Sequence, residues 1–366
     1  MISHLQQLAA SSIQIKMNDL VVAAEEENFF ALAFYKDQER LRKLEFFSKN
    51  GFSKKVVVTN KSNYGNVSSE IKGDKLVMIS DDELSVLAEN ALECRNKLEG
   101  AVVIMTNNNV AKIEPLKMAT LVEATPNTVF VVHDFDNHHW HDHSIKCALL
   151  ADVYAPAHLT DFAVVGRLNS AVVAGIPCGS IQWKKTFLVE HLTEMLQNER
   201  KSEPLGMHSF YGKFKFRNSV IATVSPHYSN VGFLKEDFHG RTDLDRWSEW
   251  ISYPVHWIAP VFNDLPLRFF DSLITGGMPL VPISLKPYLN ILGIPEEFYI
   301  YYTASDLMNV NNFVESALSR FEKSGEAGRL ARYVYASECF HVDEIIYKLY
   351  SCAKNEFVST HKQFTN

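Results

Sequence analysis

Between residues 51 and 155, short and almost wholly apolar runs alternate with longer segments whose apolar residues recur at helical spacing. The runs at 55–59, 75–80, 101–106, 128–132 and 151–155 have the length of strands, while 81–98 and 114–123 read as helices. Strands lacking polar alternation are usually covered on both faces. That pattern predicts a parallel sheet flanked by helices, with a ligand crevice beyond the carboxyl ends of its strands. Upstream, residues 24–47 combine strong helix formers with Phe29, Leu32, Tyr35, Leu41 and Leu44, so residues 1–50 read as a helical extension. Its aromatic run at 29–35 suits an acceptor or partner surface, or simply a buried helix face.

The polar stretch 196–204 interrupts the pattern and is the linker candidate. Strand-like segments resume at 219–224, 255–260, 279–283 and 298–302, a helix is expected at 268–274, and further helices at 331–354. Two α/β domains follow from this, residues 51–195 and 205–335, with 336–366 as C-terminal helices. Asn263 and Asp264 read first as a cap for the helix at 268, and Ser305 with Asp306 as another.

Length and composition agree with two soluble domains. A chain of 366 residues exceeds the usual single core, and 46% hydrophobic with 22% charged residues is ordinary for a globular enzyme. The formal charge of −7 gives no general attraction to nucleic acid, so no nucleic-acid partner is expected. Cys94, Cys147, Cys178, Cys339 and Cys352 are scattered without CxxC spacing, which reads as reduced thiols. Residues 1–17 lack the pattern of a secretory signal and no long apolar run suits a membrane span. The expected location is the cytoplasm, with peripheral contact at the inner face of the membrane left open.

The densest chemistry lies at 265–281. Arg268 and Asp271 sit three apart and share a helix face, where one can hold phosphate and the other accept hydrogen bonds from ribose hydroxyls. Gly276 and Gly277 suit a helix end needing positive φ. An ordinary exposed helix ending in a turn has the same features. Residues 206–218 place Gly212, Lys215 and Arg217 in a glycine turn with clustered cations before a helix, an arrangement for an anion. Solvated loop cations are the plain alternative. No GxxxxGK[ST] or strand-linked GxGxxG motif is present, which disfavours a P-loop ATPase or a dinucleotide dehydrogenase.

The order Arg, Phe, acidic residue, Leu, Gly, Pro at 268–279 resembles the donor-nucleotide helix of glycosyltransferases with the GT-B fold, with exostosin-like and group-1-like bacterial members most similar. That family usually carries Glu where this chain has the shorter Asp271. The resemblance implies two Rossmann-like domains facing across a cleft, with the C-terminal helices able to cross back to the first domain. It further implies donor binding by Gly212, Lys215, Arg217, Arg268, Asp271, Gly276 and Gly277, with Gly212 and a downstream cation at the diphosphate.

At the end of the run 128–132 stand five histidines and three aspartates in eleven residues, His133 to His143. No zinc-type spacing occurs, so no metal site is assigned, although imidazole and carboxylate can ligate transition metals. Position favours acid/base chemistry, because His133 and Asp134 leave the strand toward the crevice and imidazole exchanges protons near neutrality. Asp134 or His133 is therefore the catalytic candidate, with Asp136 in reserve. GT-B enzymes resembling this chain place a His and an acidic residue at this strand end. His138, His139, His141 and His143 taken singly read as solvated or locally bonded.

The expected function is transfer of a sugar from a nucleotide-sugar donor to a hydroxyl of a glycan or lipid-linked acceptor, in synthesis of a surface polysaccharide such as lipopolysaccharide. The nucleotide-sugar is the co-substrate and no cofactor is obligatory. Arginines and helix amides would stabilise the leaving group, since the Asp-x-Asp pairs are only Asp134 with Asp136 and Asp243 with Asp245. A noncatalytic nucleotide-sugar or glycan-binding subunit and a GT-B-fold sugar-nucleotide epimerase remain alternatives.

Overall fold

The computed structural model describes residues 28–359 except 61–62, 114, 138–140, 159–170, 174, 235–240 and 263, with backbone alone at 28–38, 115, 116, 119, 141, 142 and 359. The chain divides into two compact units, residues 1–177 with 346–366, and residues 178–345.

The first unit begins with helix α1 (Asn28–Asn50) and strand β1 (Lys54–Thr59), then a small hairpin of β2 (Glu70–Ile71) and β3 (Asp74–Lys75). Strand β4 (Val77–Ser80) leads to helices α2 (Asp81–Leu87) and α3 (Ala91–Leu98), so the helical pattern at 81–98 is two helices. Asn90 caps the second of them through Glu93 N, which restarts the turn. Next come β5 (Ala101–Thr106), α4 (Asn107–Lys112), α5 (Pro115–Ala124), β6 (Val129–Asp134), α6 (His141–Leu150) and β7 (Val153–Pro156). The sheet has the order β4-β1-β5-β6-β7 and every pairing in it is parallel. Every residue of β5 and β6 is buried, which is why those runs lack polar alternation.

Helix α1 is tied into this unit rather than standing apart from it. Phe47 is fully buried with its ring 4.7 Å from Phe52 and 6.5 Å from Phe357. Lys43, equally buried, donates to Asp152 Oδ2 at 2.7 Å, and that same oxygen accepts from Phe130 N at 2.8 Å. The side chains of Phe29, Leu32 and Tyr35 lie outside the described residues.

The second unit contains α7 (Lys185–Glu190), α8 (Leu192–Gln197), β8 (Pro204–His208), α9 (Lys215–Val224), β9 (Val231–Phe233), α10 (Asp243–Ile251), β10 (Val255–Trp257), α11 (Leu267–Ile274) and β11 (Met278–Pro282). It continues with α12 (Lys286–Ile291), β12 (Ile300–Tyr302), α13 (Ala304–Leu307) and the long α14 (Val310–Cys339), which bends at Gly325. Helix α15 (Val342–Lys354) follows, and from Ile346 onward it belongs to the first unit. This sheet has the order β12-β11-β10-β8-β9, again all parallel. Counting strands by their place in the chain, both sheets read 2-1-3-4-5. Two parallel α/β sheets of this kind are compatible with two Rossmann-like domains.

One strand expectation fails. Residues 219–224 lie in helix α9, where Arg217, Val220, Ile221 and Val224 are buried at helical spacing while Ala222 and Thr223 are exposed. Its β-branched content mimics a strand, but the burial period is 3.6 residues or so. The helix α11 is not capped by Asp264 either: its N-cap is Pro266, and the buried Asp264 carboxylate accepts from Val261 N within the preceding loop. At α13 the cap is Thr303, with Asp306 closing a capping box. No helix among the described residues is long and apolar enough to cross a membrane.

Removing one member of a buried ion pair strands the other charge, at a cost of about 3 kcal/mol. Lys43→Met should therefore lower the urea midpoint of the first unit clearly, and an unchanged midpoint would show that Asp152 is satisfied without it.

Candidate functional site

In a 2-1-3-4-5 sheet the connections diverge in opposite directions between strands 1 and 3, leaving a crevice at their carboxyl ends. In the second unit that switch point lies between β8 and β10. Helix α9 follows β8 and helix α11 follows β10, so the first turns of both come to this edge, bringing Arg217 and Arg268 with them.

Arg217 is 9% exposed, and among the described residues its guanidinium forms no hydrogen bond or ion pair, with Nε buried and unpartnered. Its guanidinium lies 5.3 Å from the Tyr211 ring. Burial lowers its pKa, while the charges of Asp264 and Tyr211 act the other way. Arg268, partly exposed, lies 5.8 Å from the Trp250 ring; burial first and the Arg217 charge second bring its pKa down to about 10. The two cations thus sit near enough to disfavour each other, and both also bear on His208 at the end of β8. His208 is buried and neutral: its Nδ1–H donates to Gly206 O at 2.7 Å and its Nε2 accepts from Ala259 N at 3.2 Å.

The first turn of α9 adds to this positive field, because Phe214 at the N-cap supplies no side-chain acceptor. Lys215 is exposed at its first position. Gly212 is exposed in the turn before it, where an added side chain would meet nothing within 4 Å. Around this edge Tyr211, Phe214 and Phe262 form a ring chain, with centroids 5.7 and 5.0 Å apart, and Phe262 is 62% exposed at φ 49°.

Asp271 is fully buried one turn further along α11. Ser180 Oγ donates to its Oδ1 at 2.8 Å and Gln182 Nε2 to its Oδ2 at 2.5 Å, so neither oxygen faces a ribose in this conformation. Burial raises its pKa to about 7 against the opposing effect of these donors and of Arg268 and Arg246. Gly276 and Gly277 close the far end of α11, where β11 begins, about 12 Å of helix rise from Arg268. They are therefore not at the Arg217 and Arg268 edge. Gly276 has φ 68°, whereas Gly277 is required by space, since a Cβ there would lie 2.3 Å from His256 Cε1.

The first unit has its own polar cluster at the ends of β5 and β6. His133 and Asp134 are the last residues of β6, not the start of a loop. Both are 0% exposed. His133 Nε2 must carry the proton, because it faces Ile176 O at 3.0 Å, and Nδ1 then accepts from Tyr64 Oη at 2.7 Å. Burial drives its pKa to about 3, so the ring is neutral and both nitrogens are engaged. Asp134 accepts from Tyr154 Oη at 2.7 Å and from Asp136 N at 3.0 Å, and burial raises its pKa. Asp136 is partly exposed and accepts from Asn107 Nδ2 at 2.8 Å. His143 Nε2 donates to Asn107 O at 2.7 Å. His138 and His139 lie outside the described residues, as does the His141 side chain.

Tyr64, Tyr154, Ser180 and Gln182 are not legible as site residues, since each reaches its partner across a long stretch of chain, and of the two partners of His208 only Ala259 is distant. The Asp243 and Asp245 pair is spent locally, Asp243 on Arg246 and Asp245 on a capping box with Thr242. Among the described residues no three His, Cys, Asp or Glu side chains converge to hold a metal ion.

The raised pKa of Asp271 has a definite sign. Between about 3.9, its value in an unfolded chain, and about 7 in the folded state, the native protein binds the extra proton, so stability falls as pH rises through that window and levels off above it. Asp271→Asn should gain in Tm relative to wild type as pH rises from about 4.5 to about 7.5, with the two converging at the acid end; a difference independent of pH would contradict the assignment. Comparison with protein-family models finds none that matches this chain, and comparison with curated proteins finds none similar to it.

Proposed function

We propose that the chain is a GT-B-type glycosyltransferase whose two α/β units face across a cleft, moving a sugar from a nucleotide-sugar donor to a hydroxyl of a glycan or lipid-linked acceptor in surface polysaccharide synthesis. The observation that carries this reading is the pair Arg217 and Arg268, two mutually unfavourable cations held at the switch point of a parallel sheet. A diphosphate is the ligand that turns this repulsion into binding, because guanidinium forks match its oxygens and the first amides of α9 add to the field. As the sugar leaves, the same cations stabilise the charge on the departing nucleotide, with no metal required. Lys215 adds a solvent-side cation, and Tyr211 and Phe262 offer ring faces to a base or sugar.

In the first unit Asp136 takes the acid/base role in this reading. It is the partly exposed member of the three candidates, while Asp134 holds its backbone amide and His133 is closed on both sides. That closure favours a second reading, a nucleotide-sugar-binding subunit without turnover.

Calorimetry with UDP, GDP, CMP, dTDP and their sugar conjugates separates these readings. One nucleotide should bind, and a ligand at 100 times its Kd stabilises the fold by about 2.7 kcal/mol, visible as a Tm shift. Arg217→Gln and Arg268→Gln should each weaken that binding about tenfold or more, the loss of a charge-assisted hydrogen bond. Asp136→Asn should keep the affinity and lose transfer. Binding without any transfer to glycan acceptors supports the second reading, and absence of nucleotide binding overturns both.

A further inference from the structure

At the opposite edge of the second sheet, before β8 and β10 begin, a cavity of about 370 Å³ opens beside Arg200, Lys201, Phe321 and Arg329, with Arg332 buried behind it. Three arginines meet here. Arg200 donates to Tyr253 O at 2.6 Å and Thr275 O at 2.7 Å, and Arg332 donates through Nε and Nη2 to Gly276 O at 3.1 and 3.0 Å. Thr275 is the C-cap of α11, and Tyr253 and Gly276 lie just past the C-caps of α10 and α11, so both side chains close the turns that follow these helices. The guanidinium groups of Arg200 and Arg332 also lie 5.3 and 5.2 Å from the Phe321 ring.

Arg329 has no such account. Its one hydrogen bond is a long 3.3 Å contact to Asn198 O, and its Nε is buried without a partner, as is Nε of Arg200. None of the three arginines forms an ion pair among the described residues. Burial first, then the charges of Arg329 and Arg332, bring Arg200 down to a pKa of about 9, and burial with the charges of Arg329 and Arg320 brings Arg332 to about 9. The carboxylates lining the cavity, Glu199 and Glu322, are exposed and therefore screened by water, whereas the cations sit deeper. A cluster of one sign beside a cavity, with Arg332 buried and Arg200 and Arg329 partly exposed, is the environment of an anion site.

We infer that this cavity binds a small phosphate-bearing anion, gripped by Arg329 and Arg200 with Lys201 at its mouth, at a site separate from Arg217 and Arg268. Arg329 is partly exposed and its Nη2 donates to no group among the described residues, which suits a phosphate oxygen, and the cavity volume falls within the range of about 300–1,000 Å³ typical of small-ligand sites. The inference is independent of the glycosyltransferase reading, because the site lies at the other end of the strands and uses none of the same residues.

The test uses inorganic phosphate and pyrophosphate titrated by calorimetry into the full chain carrying Arg217→Gln and Arg268→Gln, so that the first site cannot contribute. One binding event should remain. Adding Arg329→Gln to that background should weaken it about tenfold or more without changing the ligand-free Tm, while Arg329→Lys should retain part of the affinity. Binding unaffected by Arg329→Gln, or no heat from either anion at millimolar concentration, overturns the inference. In otherwise wild-type protein Arg329→Gln should leave nucleotide binding intact, which keeps the outcome distinct from that of the donor site.

Discussion

Parallel pairing of β10 with both β8 and β11 is the constraint on which the second unit depends. Parallel neighbours need a crossover, and crossovers leaving β8 and β10 in opposite directions deliver the starts of α9 and α11 to one edge of the sheet. The cations of that edge follow from topology rather than from local sequence. Their far ends are equally constrained: the finish of α11 must turn sharply into β11, which fixes Gly276 in the left-handed region and leaves room at Gly277 only for hydrogen against His256. The chain thus carries positive charge at both ends of the same strands. At one end it is set in place by helix starts, at the other by arginines that close the turns after helix finishes.

The first unit uses the same strand order for a different electrostatic outcome. At the ends of β5 and β6 the polar groups are neutral or internally paired, with Asn107 joining three partners: its Oδ1 accepts from Phe135 N, its Nδ2 donates to Asp136, and its carbonyl accepts from His143. A carboxylate such as Asp134, fully buried and held by Tyr154, is more effective as a brace for the turn beyond it than as a group open to solvent. Tyr64, held at φ 54° while bonded to His133, is strained backbone at this same edge, and such strain persists where surrounding contacts determine it.

Much of the architecture was legible because burial on both faces leaves an unmistakable mark. The runs at 101–106 and 128–132 became strands of which every residue is buried, and the helix at 268–274 with its glycine stop lies where its spacing placed it. The run 219–224 resembles a strand because Val, Ile and Thr carry strand preference, and only the burial of Val220, Ile221 and Val224 reveals the helical period. Among site residues, Arg217 and Arg268 stand out in sequence as cations near helix starts, but their mutual proximity does not. Asp271 shows the limit most clearly: its spacing from Arg268 suggested a ligand contact, while its actual partners, Ser180 and Gln182, lie some ninety residues earlier. The cavity beside Arg329 left no local signal, since its arginines come from a loop and a bent helix far apart in the chain.

The most direct measurement of the central claim is a crystal structure of the full chain grown with the nucleoside diphosphate that binds it most tightly. The diphosphate should lie at the switch point of the second sheet, with its oxygens about 2.7–2.9 Å from guanidinium nitrogens of Arg217 and Arg268. A diphosphate seated elsewhere on the chain, with Arg217 still unpartnered, would contradict it.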